Sequence, residues 1–75
     1  MSDDDTPHRV VCRLGALLDD RGMTLVQLAV ATGITVANLS VLKNGRARAI
    51  RFSTLTAVCD ALGCTPGDLL DLEPA

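Results

Sequence analysis

From Val10 onward the apolar residues Val10, Val11, Leu14, Leu17 and Leu18 recur three to four apart and stop at Asp19-Asp20-Arg21-Gly22. That spacing puts them on one face of a helix, and Gly22 suits the left-handed turn that ends one. Thr24 followed three residues later by Gln27 has the order of a capping box, in which hydroxyl and amide each satisfy a backbone donor left open by the helix. A second helix is therefore predicted from about Leu25 to Thr32, closed by Gly33. Thr35 caps a third from about Val36 to Asn44, with Leu39 and Leu42 on one face and Gly45 at its end. Only Gly33, Ile34 and Thr35 separate these two helices, and so short a link forces a steep crossing, the geometry of a helix-turn-helix. Leu55, Val58, Cys59 and Leu62 then line a fourth helix from near Ser53 to Gly63. Thr65, Pro66 and Asp68 supply the cap, the first-position proline and the first-turn acid of a short fifth helix reaching Leu70 or Leu72. No strand runs or repeats stand out. The expected fold class is all-α, five compact helices over residues 9–72, between a flexible acidic tail (1–8) and a C-terminal tail (73–75).

Composition limits what such a domain can be. A chain of 75 residues is one small domain, able to bury only about 60% of the surface its unfolded form exposes. With 48% hydrophobic residues but a single aromatic, Phe52, its core has to be built from Leu, Val, Ile and Ala. No apolar run approaches the roughly 20 residues that span a bilayer, and the first residues are acidic rather than a basic leader. A soluble, cytoplasmic protein is expected. Cys12, Cys59 and Cys64 are an odd number, which argues against a disulfide framework, and they read as small buried hydrophobes. A Cys3His zinc site with His8 is formally available, but Cys59 and Cys64 lack the usual ligand spacing, so neither metal nor cofactor is expected. One histidine in a tail, no Ser/His/Asp or Cys/His arrangement and no glycine-rich phosphate loop give no support for an enzyme. Cys59 beside Asp60 reads as packing.

The formal charge of −2 conceals its distribution. Residues 21–59 carry Arg21, Lys43, Arg46, Arg48 and Arg51 with no acid, whereas Asp3, Asp4, Asp5, Asp19 and Asp20 precede them and Asp60, Asp68, Asp71 and Glu73 follow. A basic middle between acidic ends can steer a polyanion, since the sign of a patch matters more than net charge. On charge alone, an ordinary solvated cationic loop accounts for the pattern equally well.

Two segments, MTLVQLAVATGITVANLSVLKNG from Met23 to Gly45 and RFSTLTAVCDALGCTPGDLL from Arg51 to Leu70, resemble the lambda-repressor and Cro class of helix-turn-helix regulators, the XRE-like proteins, and within it a subgroup of small stand-alone regulators. The resemblance implies that the third helix lies in the DNA major groove with its first turn at the base edges. It would direct Thr35, Val36, Ala37, Asn38, Ser40 and Val41 toward bases. Leu25, Gln27, Lys43, Asn44, Arg46, Arg48 and Arg51 would lie along the backbone, with Arg51 at or in the minor groove. This chain departs from the pattern at Val36, Ala37 and Val41, where relatives carry side chains able to bond guanine or adenine in bidentate fashion. Thymine methyl contact and hydrogen bonding by Asn38 are what remain. Leu25 likewise stands where the family often has a bracing glutamine.

The function expected is a sequence-dependent regulator of transcription on double-stranded DNA, a repressor acting as a homodimer, because one module covers only a half-site. Four neutralised phosphates imply a fall of log affinity with log salt at a slope of about −3.6. Leu69, Leu70 and Leu72 are the candidate dimer seam, with closure of the monomer core as the equal alternative. The competing function is a protein-interaction module of antitoxin or anti-repressor type. It would dock a protein partner through an apolar surface of Leu25, Val26, Val30, Val36 and Val41.

Overall fold

In the computed structural model, which describes residues 8–74, the chain runs β1 (Val10–Cys12), α1 (Leu14–Arg21), α2 (Leu25–Thr32), α3 (Val36–Lys43), α4 (Phe52–Leu62), α5 (Pro66–Leu69) and β2 (Leu70–Leu72). The middle of the chain follows local chemistry closely. The Gln27 amide donates to Thr24 Oγ1 at 3.1 Å while the Thr24 amide donates to Gln27 Oε1 at 2.8 Å, so the expected capping box forms at the start of α2. Thr35 Oγ1 accepts from the Asn38 amide at 3.2 Å and opens α3. Between them Gly33 adopts φ 74°, a left-handed conformation that a Cβ would oppose. Ile34 packs against the core from inside the corner.

The all-α expectation needs correction at both ends. Val10–Cys12 is a strand, not the first turn of α1, and α5 stops at Leu69 because Leu70–Leu72 is the strand paired with it. The two are antiparallel, with Val10 opposite Leu72, Val11 opposite Asp71 and Cys12 opposite Leu70. β-Branched Val10 and Val11 favour an extended backbone, but the pairing that decides the matter comes from the far end of the sequence. Beyond the strands, the Arg13 amide donates to the Leu69 carbonyl at 2.7 Å, the Glu73 amide to the Arg9 carbonyl at 2.8 Å, and Arg13 forms an ion pair with Asp71. Glu73, expected in a tail, is therefore tied to the ribbon. The flexible tail expected over residues 1–8 lies outside the described residues except for His8, and so does Ala75.

The core is wholly aliphatic apart from one thiol. Leu14, Leu17 and Leu18 of α1 meet Leu28 of α2, Leu39 and Leu42 of α3, Val58, Cys59 and Leu62 of α4, and Leu69 of α5. Burying each leucine contributes about 1.5–3 kcal/mol before chain ordering is counted. Phe52, the one aromatic, is 85% exposed and adds nothing to it.

Two acids fasten the C-terminal corner. The Thr65 amide donates to Asp68 Oδ2 at 3.0 Å and the Leu72 amide to Asp71 Oδ1 at 2.8 Å. These backbone bonds are the first cause holding both carboxyls below their ordinary value of 3.8, with the Thr65 side chain aiding Asp68 and Arg13 aiding Asp71. A carboxyl that titrates lower in the folded chain adds stability above its unfolded pKa and loses it as pH falls through the folded one. Urea unfolding should therefore give a stability that declines as pH drops below about 4, with a smaller decline in Asp68→Asn/Asp71→Asn. Equal acid-side losses in both proteins would show that these bonds carry no pH dependence.

Candidate nucleic-acid interface

α3 has two chemically distinct sides. Leu39 and Leu42 point into the core, while Thr35, Val36, Ala37, Asn38 and Val41 are exposed and Ser40 is half-buried. Five of the six residues expected to face bases are thus exposed. Two polar groups there are already engaged: Thr35 Oγ1 caps the helix, and Ser40 Oγ accepts from Asn44 Nδ2 at 3.2 Å. Each hydroxyl keeps its hydrogen for an outside acceptor. Among these residues, the Asn38 side chain supplies an amide with both donor and acceptor capacity.

The end of α3 sets where the cations emerge. Gly45 at φ 72° closes the helix, its amide donating to the Leu42 carbonyl at 3.2 Å and that of Arg46 to the Val41 carbonyl at 3.0 Å. This left-handed closure satisfies the last carbonyls and turns the chain sharply back. In the connector that follows, Ala47 and Ile50 pack against the core while Arg46, Arg48, Ala49 and Arg51 stay exposed. Small and apolar residues thus pin the backbone down, and the arginines before, between and after the pins stay exposed. Arg46, Arg48 and Arg51 line an open groove of about 610 Å³ with Asn38 and Val41 of α3 and Thr54 of α4. Hydrogen-bonding, methyl-bearing and cationic side chains are brought together there.

Other expected contacts are distributed elsewhere. The Lys43 stem lies across Gly15 of α1, its Cε 3.4 Å from where a Cβ on that glycine would stand, and Lys43 does not line the groove. Leu25 is half-buried and leans on the core, while Gln27 is exposed with its carbonyl committed to the capping box. In the proposed seam, Leu69 is fully buried inside the monomer and Leu70 half-buried, leaving Leu72 exposed at 56% opposite Val10 at 48%. Among the described residues, no group of three or more His, Cys, Asp or Glu could hold a metal, and no helix is long and apolar enough to cross a membrane.

Sequence reasoning passed over the beginning of α4. The helix starts at Phe52, one residue before the expected Ser53, and Arg51 occupies the cap position with no side-chain hydrogen bond to the first turn. An uncapped N-terminus carries open backbone donors and a partial positive charge. The signal was present in the sequence, because arginine has no acceptor oxygen with which to cap a helix.

An aliphatic core under two helices joined by a three-residue corner, with cations beside the second, defines a helix-turn-helix DNA-binding domain. The chain belongs to the Cro/C1-type helix-turn-helix DNA-binding domain family, whose model matches residues 13–75. It is 50% identical over 62 residues to the "Uncharacterized HTH-type transcriptional regulator YozG" of Bacillus subtilis (strain 168), an alignment covering 83% of this chain and 74% of that protein. No solved structure matches it. The XRE-like resemblance seen in the two sequence segments is thereby established, and with it the coarse class, a DNA-binding transcriptional regulator.

Proposed function

We propose that this protein is a repressor that binds double-stranded DNA as a homodimer, with residues 35–44 in the major groove and the connector 43–51 on phosphates. The observation that carries the reading is the groove in which Arg46, Arg48 and Arg51 adjoin Asn38 and Val41. Cations at that edge supply affinity through counterion release. Base choice falls to Asn38, to thymine methyl contact by Val36, Ala37 and Val41, and to groove shape. Leu25, Gln27, Lys43 and Asn44 would flank the backbone, and the uncapped start of α4 offers further donors to it. Selection of sites from a random duplex pool at fixed salt is expected to enrich a palindromic, T-rich element. An unenriched pool would remove sequence-dependent recognition from the account.

The homodimer is proposed to close through the strand ribbon, where Leu72 is joined by Val10, since Leu69 is consumed by the monomer core. Sedimentation of Leu72→Lys should then give a monomer at concentrations where the unmodified chain is a dimer. An unchanged assembly would exclude this seam.

A second reading, docking of a protein through an apolar surface, is favoured by Val26 at 60% and Val30 at 82% exposure, one helical turn apart on α2. Val36 and Val41 extend that chemistry on α3, whereas half-buried Leu25 has little surface left to offer. Contiguous exposed aliphatics mark interaction sites, but they give no reason for the cations. Substituting Val26 and Val30 by threonine should leave DNA affinity unchanged if the first reading holds.

A further inference from the structure

The last turn of α4 brings two cysteines together. Gly63 at φ 63° closes the helix, its amide donating to the Asp60 carbonyl at 3.3 Å and the Cys64 amide to the Cys59 carbonyl at 3.0 Å. In this closure the residue after the glycine folds back over the residue five positions earlier, a pair that is usually apolar. Here both are cysteine, and Cys64 is near enough to add to burial in raising the Cys59 pKa. The backbone bond also limits their separation. An amide nitrogen 3.0 Å from the carbonyl oxygen keeps the two Cα atoms within about 7 Å, the range over which a disulfide can form. Both are free thiols, Cys59 buried and Cys64 half-buried.

We propose that Cys59 and Cys64 form a peroxide-oxidisable dithiol that closes into an intramolecular disulfide at the C-terminus of α4. Partial exposure makes Cys64 the thiol that a small peroxide reaches. Its thiolate attacks one peroxide oxygen, the O–O bond breaks, and the departing hydroxide takes a proton to become water, leaving Cys64 as the sulfenic acid. The Cys59 sulfur then attacks the Cys64 sulfur. The S–S bond forms as the S–O bond breaks, and the hydroxide released takes up the Cys59 proton as a second water. In sum, two thiols and one hydrogen peroxide give one disulfide and two waters, with sulfur oxidised and peroxide oxygen reduced. Burial is the main cause raising the Cys59 pKa, which suits it to the second, proximity-driven step rather than the first. Cys12, in β1, stays outside the pair and serves as an internal control.

The proposal stands independently of DNA recognition. The test treats the full chain with hydrogen peroxide, alkylates the remaining thiols and weighs the product. The expected product carries no covalent link between chains, is lighter by two hydrogens before alkylation, is alkylated once, at Cys12, and is returned to three reactive thiols by dithiothreitol. Cys12→Ala should still close the bond, and Cys64→Ser, altered at a half-exposed position so that the core is kept, should not. Persistence of three thiols, accumulation of sulfinic or sulfonic acid at Cys64, or cross-linking between chains as the main product would each overturn the proposal.

Discussion

Replacing Arg46, Arg48 and Arg51 together by glutamine is expected to weaken duplex DNA binding by several hundred-fold at about 0.1 M salt, and to flatten the salt dependence. At about 0.9 of slope per phosphate, loss of three contacts should reduce the magnitude of the log–log slope by about 2.7. All three side chains are exposed, and the residues that hold their backbone in place, Ala47 and Ile50, are untouched. The fold should therefore survive, and circular dichroism alongside the binding titration checks that it does. Lys43→Gln alone should change the slope by no more than about one unit, because its stem runs over α1 outside the groove. A slope that stays put in the triple variant would mean that the groove cations do not meet phosphates.

Leu39→Ala should have the largest effect on the fold. Leu39 is fully buried beneath α3, and removing such a side chain costs about 2–5 kcal/mol through lost burial and the cavity left behind. A chain of this length is expected to have only about 4–11 kcal/mol in total, from roughly 0.05–0.15 per residue. Urea unfolding should show the midpoint falling by a large fraction of its range, and DNA binding should fail as the unfolded population grows. Val41→Ala, on the opposite side of the same helix at 37% exposure, should cost little stability while altering which sites are selected. If Leu39→Ala cost less than about 1 kcal/mol, α3 would not be anchored as described.

This contrast reflects how the candidate site could be read from sequence. α2, the corner and α3 depend on interactions spanning three to five residues: Thr24 with Gln27, Gly33 with Ala29, Thr35 with Asn38. Such contacts are written in short stretches of chain, so the elements and the exposed face of α3 were legible. The cationic connector was legible as composition, but not the alternation that makes it a site. That Ala47 and Ile50 turn inward depends on the core they meet, and Lys43 parts company with the arginines because α1 lies beside it.

Sequence by itself thus determined the helix-turn-helix, its caps, its left-handed glycine turns and the sign of its patch. Each follows from the backbone preferences and charges of neighbouring residues. Only tertiary structure decided the rest. Val10 and Val11 have helical spacing with Leu14, but antiparallel pairing with Leu70–Leu72 makes them a strand, and residues some sixty positions apart leave no local signal of that choice. The same pairing ends α5 early, sends Leu69 into the core and leaves Leu72 outside. Hydrophobic periodicity records that a residue will be buried. It does not record against what, because the partner surface exists only once the chain has closed on itself.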